Sequence, residues 1–297
     1  MKQAVIDIGT NSTRLCVADV TVNGSVTLSG IQKHLTTTRL GEGSAGGFLQ
    51  TTPMERTARA VADYYRKAKK DGAEKIYVYA TAAVREAQNN QAFADILLQN
   101  GIELIILSGE QEAEIAYAGA ADESNCAVID IGGGSTEVIL KQNGHTLALS
   151  QKIGAVRLFE RFGGKEGISG ALARSVRDYI APTVEQYCAI APQNADHLIG
   201  VSGTATTLAA MHLGLTQYSG EMVQNTTLTL ESICTLMQSL FLPLEKRLLI
   251  PGVPENRGDI IPFGCIILEA FMSRFGFNSI RISDTDSLEG FLKLANK

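Results

Sequence analysis

The segment Asp130-Ile-Gly-Gly-Gly-Ser-Thr-Glu137 sets two carboxylates seven positions apart around three consecutive glycines. Glycine lets the main chain pass close to a ligand and aim successive N–H groups into one concavity, an arrangement that suits phosphate. Gly132, Gly133, Gly134 and Ser135 are therefore candidate phosphate-binding residues. Asp130 ends an apolar run and Glu137 begins the returning strand, so both acids flank the cradle. Mg²⁺ takes few carboxylates, keeps several waters and shares substrate oxygens, which makes Asp130 and Glu137 a candidate metal pair. A hairpin capped by Asp130 is the plainer explanation, but a hairpin does not need three glycines.

The hexapeptide leading into this turn, Ala127 to Gly132, occurs also at Ala4 to Gly9, a constant offset of 123 residues. Thr10-Asn11-Ser12-Thr13 then lies over Gly133-Gly134-Ser135-Thr136, so Asn11 and Ser12 become phosphate-binding candidates of a second loop. Each copy runs on into an apolar strand and meets an Asn-Gly pair, Asn23-Gly24 and Asn143-Gly144, the dipeptide best suited to a two-residue hairpin turn. Strand, polar turn, strand, hairpin, strand, used twice, implies a duplicated domain and two phosphate loops facing across a cleft.

Three other turns could contribute. Arg85, in Thr81-Ala-Ala-Val-Arg85, follows a strand, where α/β folds place ligand groups, and could clamp a phosphoryl oxygen. A surface ion pair is the alternative. Gly203 and Thr204, in Val201-Ser-Gly-Thr204, sit at a strand-to-helix turn whose helix N-terminus favours an anion; close packing would explain the small residues equally well. In Ser108-Gly-Glu-Gln-Glu-Ala-Glu114, Ser108 and Gln111 match a capping box, and by themselves the acids only complement a helix N-terminus.

The elements that must position these residues can be read from periodicity. Thr52-Pro53-Met54-Glu55 predicts a helix start with Thr52 as cap, and the apolar spacing carries that helix to near Gly72. A strand at Ile76 to Tyr79, a helix at Ala92 to Gln99, a strand at Glu103 to Leu107 and a helix from Ser108 complete a β-β-β-α-β-α-β-α half. The second half predicts strands from Ala127, Val138 and Thr146, helices at Arg157 to Arg161 and Ala171 to Tyr187, and the strand His197 to Val201. A helix from Ser202, a helical region from Leu228 to Leu242, a helix after Arg257, the strand Ser279 to Ile282 and a closing helix from Ser287 follow. The polar stretch Ala121 to Asn125 reads as the break, giving domains 1–124 and 125–297, the first of which the C-terminal helix could close.

Composition limits the partners. A net charge of −5 and the lack of a basic stripe argue against nucleic acid, so phosphate must be held by local groups. The five cysteines have no zinc or redox spacing and suit a reducing compartment. Asp7 interrupts the first apolar run and no stretch reaches the length of a membrane span, so a cytoplasmic, membrane-free protein is expected. There is no Walker loop, and none of the four histidines has a metal-pair spacing.

Taken together, the turns resemble those of the actin, hexokinase and heat-shock chaperone superfamily, and within it the exopolyphosphatase and guanosine pentaphosphate phosphatase family. The resembling stretches are Ile6 to Ser12, Arg39-Leu-Gly-Glu-Gly43, Ala80 to Arg85, Ser108 to Ala113, Val128 to Glu137 and Val201 to Thr204, in order over nearly the whole chain. The resemblance implies an α/β fold of two RNase H-like domains with mixed sheets flanking a cleft. It implies that Glu112 orients and deprotonates the attacking water, that Arg85 binds the transferred phosphoryl group, and that Asp130 and Glu137 surround a divalent cation, Mg²⁺. It also implies hydrolysis of a terminal phosphoanhydride in inorganic polyphosphate or guanosine pentaphosphate, and a homodimer. Three departures stand out: Leu288 replaces a family arginine, Ala82 replaces a serine, and the C-terminal helical domain of longer members is not among these residues. With the acidic charge, the last leads to an expectation of short polyphosphate chains or the nucleotide. The competing reading is an actin-like nucleotide-binding regulatory or assembly module without dedicated hydrolysis, for which the pair of Glu112 and Arg85 would be unnecessary.

Overall fold

The structure is a computed structural model describing residues 1–121, 125–142 and 145–297, the side chain of residue 145 excepted. The turn Asn143-Gly144 and most of the interdomain break lie outside the described residues. The chain divides into two compact units, Met1–Gly119 with Ser287–Lys297, and Ala120–Asp286.

The first unit runs β1 (Lys2–Ile8), β2 (Ser12–Asn23), β3 (Ser25–Thr37), α1 (Thr51–Lys70), β4 (Lys75–Ala80), the single turn α2 (Ala82–Arg85), α3 (Asn90–Leu98), β5 (Ile105–Ile106) and α4 (Gly109–Ala120). Its sheet has the order β3-β2-β1-β4-β5, antiparallel between the first three strands and parallel from β1 through β4 to β5. Successive side chains of a strand point to opposite faces, and β1 buries apolar residues on both, with Gln3 and Asp7 flanking Val5 on one of them. Ala4, Ile6 and Ile8 pack in a core with Val61 of α1 and Phe93 and Leu97 of α3. Val5 lies in a second core with Tyr79, Leu107 and Ile115 of α4. That second face is completed by the last helix of the chain, which contributes Leu288 and Leu292.

The second unit runs β6 (Cys126–Ile131), β7 (Thr136–Gln142), β8 (His145–Gln151), α5 (Ala155–Phe162), α6 (Gly170–Glu185), β9 (His197–Val201), α7 (Ser202–His212), α8 (Gly220–Val223), β10 (Thr227–Thr229), α9 (Leu230–Leu240), α10 (Leu244–Arg247), α11 (Ile261–Phe275) and β11 (Ser279–Ile282). Its sheet has the order β10-β11-β9-β6-β7-β8. Read from the other edge, five strands repeat the order of the first sheet, and β10 is an antiparallel addition on β11. The α/β duplication expected from the sequence is thus present as two mixed sheets. α12 (Ser287–Leu294) returns the chain to the first unit.

Two local expectations need correction. Leu228 lies in β10, and the helix predicted from it begins at Leu230, because Thr227 to Thr229 pair with Ser279 to Arg281. α1 begins at Thr51 with Gln50 as N-cap and no side-chain capping bond. The backbone of Leu49 is clamped from both sides by the Asn89 amide, at 2.9 and 3.0 Å, and this long-range contact sets where the helix starts. The capping box at the start of α4 does form: Ser108 N–H donates to Gln111 Oε1 at 2.9 Å and Gln111 N–H to Ser108 Oγ at 3.2 Å.

Candidate active site

In the first unit, β1, β4 and β5 are parallel, and their carboxyl ends bring three of the singled-out turns to one edge. Gly9 N–H donates to Ser12 O at 2.9 Å and closes the first loop. The Arg39 to Gly43 stretch is strapped onto that loop: Thr38 and Arg39 N–H donate to Asn11 O at 3.0 and 2.8 Å, and Gly41 N–H to Thr10 O at 2.9 Å. Arg85, on α2 after β4, donates from Nη1 to Glu112 Oε2 at 2.8 Å and to the Leu107 carbonyl at 3.1 Å. Glu112 stands on the first turn of α4, and both side chains are mostly buried, at 21% and 13% exposure. Neighbouring Glu110 is exposed, and the Ser108 hydroxyl, with the backbone N–H, holds its carboxyl below the usual carboxylate range. The capping explanation therefore fits Glu110, while Glu112 is turned into an ion pair.

The second loop repeats the closing bond of the first. Gly132 N–H donates to Ser135 O at 2.9 Å, as Gly9 does to Ser12. Its outer side is fixed by α5, where Ala155 N–H donates to Gly132 O and Val156 and Arg157 N–H donate to Gly133 O. Gly154 is forced to be glycine, since a Cβ there would sit 2.4 Å from Gly133 O. Asp130 and Glu137 face each other directly across β6 and β7 and are buried at 7% and 1% exposure. Ser202 Oγ donates to Asp130 Oδ2 at 2.7 Å and Ser150 Oγ to Glu137 Oε1 at 2.6 Å. Tyr187 donates to Thr136 O at 2.6 Å; burial, and after it the Glu137 carboxylate, pushes its phenol well above the ordinary tyrosine range.

The third turn divides its duties. Thr204 is buried and gives its hydroxyl to Ile131 O at 3.1 Å, so this side chain ties helix to strand, and only its N–H is left for an anion. Gly203 lies directly beneath the Arg257 guanidinium: a Cβ added there would fall 1.0 Å from Arg257 Nη1. The sequence reading gave Arg257 no role. Its contact spans more than fifty residues, and the only local hint was a second small residue beside Ser202.

The duplicated loops differ in charge. In the first, Asp7 faces Arg14 across β1 and β2, and Arg14 donates to Asp7 Oδ2 from Nε at 2.9 Å and to Ser287 Oγ from Nη2 at 2.9 Å. In the second, Glu137 stands where Arg14 would be, so two carboxylates are paired instead of an acid with a base. Two buried oxygen-donor side chains fit a hard cation that completes its shell from water and substrate, and suit Mg²⁺ better than a metal needing an all-protein cage. Among the described residues no group of three or more His, Cys, Asp or Glu forms a metal cluster.

The sequence matches the Ppx/GppA phosphatase family over residues 16–294. The chain belongs to that family. It is 29% identical to "Exopolyphosphatase 2" of Mycobacterium tuberculosis, the alignment covering 97% of this chain and 96% of that protein. It is 31% identical to the "Guanosine-5'-triphosphate,3'-diphosphate pyrophosphatase" of Pseudoalteromonas translucida over 97% of this chain, which spans 58% of that relative. The Aquifex aeolicus PPX-GPPA enzyme superposes with a TM-score of 0.81 at 26% identity, covering 99% of both chains. An exopolyphosphatase from Cytophaga hutchinsonii superposes at 0.86 with 25% identity, covering 100% of this chain and 98% of its own. As a Ppx/GppA member the protein is an α/β phosphatase with the superfamily's duplicated fold. Among the described residues no helix is long and apolar enough to cross a membrane.

Proposed function

We propose that this Ppx/GppA protein hydrolyses the terminal phosphoanhydride of inorganic polyphosphate or of guanosine pentaphosphate, with Mg²⁺ as cofactor. The observation that carries the reading is the bond between Arg85 and Glu112 at the carboxyl edge of the first sheet. A binding module does not require a mostly buried carboxylate held by an arginine at the carboxyl edge of the sheet. A hydrolase does, because phosphoryl transfer is catalysed chiefly by positioning and by stabilising charge on the transferred group.

In this reading Glu112 orients the attacking water and takes its proton. Arg85 needs only part of its five-donor fork for Glu112 and Leu107, and the rest can bind the phosphoryl oxygens. The loops at Asn11-Ser12 and Gly132 to Ser135, with Gly203, the Thr204 N–H and the overlying Arg257, hold the phosphates. Asp130 and Glu137 would hold Mg²⁺, which when bound neutralises charge on the substrate oxygens. The relatives carry both substrate names, so the choice between polyphosphate and the nucleotide is left to experiment.

The deciding measurement is phosphate release from short polyphosphate, long polyphosphate and guanosine pentaphosphate, with Mg²⁺ and with a chelator. Release from at least one substrate, lost with chelator, is expected. ATP binding without release from any of the three would point to a regulatory module of the actin type and sink the proposal.

A further inference from the structure

We propose that Ser202 and Ser150 are positioning residues that hold the Asp130 and Glu137 carboxylates as a preformed cation site. The inference rests on the reading of those two acids as Mg²⁺ ligands. Four neighbouring strands place the residues in one row: Val201 of β9 pairs with Asp130 of β6, Asp130 with Glu137 of β7, and Glu137 with Ser150 of β8. Each acid thus has the other on one side and a serine hydroxyl on the other, at 2.7 Å for Ser202 and 2.6 Å for Ser150. A hydroxyl donating to one carboxylate oxygen fixes the rotamer of that carboxylate. Outer partners of this kind set the orientation of metal-ligating groups.

Ser150 reaches its partner simply by register. Ser202 does not. It comes one residue after Val201, and in an extended strand its side chain would leave by the opposite face. Its φ of 63°, in the left-handed region, breaks that alternation and returns the hydroxyl to Asp130. Few L residues adopt this conformation, and such strain collects at functional sites.

The duplicated half serves as an internal control. There the matching row reads Tyr79, Asp7, Arg14 and Leu35, with no serine at either end. The position matching Ser202 is Ala80, which follows Tyr79, has no hydroxyl and is not among the residues of positive φ. The strained serine and its counterpart on β8 occur only where two carboxylates are paired. Buried carboxylates need hydrogen-bond donors with or without a cation, so metal affinity, and not stability, is the readout that separates a positioning role from a structural one.

The test uses Ser202→Gly, Ser202→Ala, Ser150→Ala and Ser150→Thr in the full chain. Glycine adopts the left-handed φ without strain, so Ser202→Gly should melt no lower than Ser202→Ala and keeps the question answerable if alanine destabilises. Binding of Mn²⁺ alone, as a probe for Mg²⁺, is followed by electron paramagnetic resonance, and half-saturating Mg²⁺ by phosphate release. Ser202→Gly and Ser150→Ala should each weaken Mn²⁺ about tenfold or more and raise half-saturating Mg²⁺ alike, with a smaller change in kcat at saturating metal. Ser150→Thr should restore both. Unchanged Mn²⁺ affinity in folded Ser202→Gly and Ser150→Ala overturns the proposal while leaving the hydrolase reading intact. Equal Mn²⁺ binding by wild type and Asp130→Asn instead removes the carboxylate pair as a metal site, and the role of the serines with it.

Discussion

Glu112 and Arg85 lie 27 positions apart, and only the fold makes them neighbours. If Glu112 positions and deprotonates water, Glu112→Gln keeps the side chain's shape and a bond to Arg85 but removes the base. Phosphate release should fall about 10²- to 10⁴-fold in kcat, with KM nearly unchanged and the thermal midpoint retained. Turnover within a few-fold of wild type in a folded Glu112→Gln protein would take the residue out of that role. Site residues were unevenly legible in the sequence. The Gly132 to Gly134 turn announced itself, because three glycines outnumber any local need. Glu112 did not: capping chemistry explained it as well as it explained Glu110, and a family likeness was needed to separate them. Arg257 left only the small residue at Gly203 as a mark and the backbone of Ser202 left none, since one acts through a distant glycine and the other through a φ that serine does not advertise.

At the scale of elements, α12 shows how closely the first unit is fitted. A Cβ on Gly290 would lie 1.6 Å from the Ile115 carbonyl of α4, so helix and helix meet backbone to backbone. Around that contact, Lys33 pairs with buried Glu289 at 2.6 Å, and Gln3 and Asn296 exchange amide bonds at 2.7 and 3.0 Å. Gly290→Ala should therefore destabilise the first unit by about 3 kcal/mol, the upper range for overpacking, read as a drop in denaturant midpoint. A neutral result would mean that α12 can shift freely. Tyr187, just beyond α6, supplies a pH prediction. Its folded pKa lies above the model-peptide value of 10.0, so above pH 10 the unfolded chain releases a proton that the folded chain keeps. The contribution is whole below pH 10 and is lost as pH rises beyond it, by up to about 1.4 kcal/mol per pH unit for one proton. Tyr187→Phe should flatten that alkaline slope in urea titrations, whereas an unchanged slope would assign the effect elsewhere. Helices and strands with strong periodicity were readable from sequence. β10 was not, because three residues carry no period and their strand identity comes from β11, fifty residues on.

For the whole molecule, the duplication and the α/β class were visible in two copies of six residues, but the path of the chain was only partly so. The second unit, Ala120–Asp286, is continuous, whereas the first needs Ser287–Lys297 to cover one face of its sheet. Expressed alone, residues 120–286 should melt cooperatively. Residues 1–119 alone should not, and a peptide of residues 287–297 added in trans should restore a transition, all checked by circular dichroism. A cooperative melt of residues 1–119 without the peptide would show that α12 is dispensable.

That discontinuity has a temporal side. A chain leaves the ribosome from its N-terminus, and domains generally fold as units in that order. Here the first unit to be synthesised is the last to be completed: Val5, Tyr79 and Leu107 wait for Leu288 and Leu292, the whole second unit emerging in between. Of the two units the second therefore matures first, and the Arg85–Glu112 half acquires a finished scaffold only once residues 287–294 have been made.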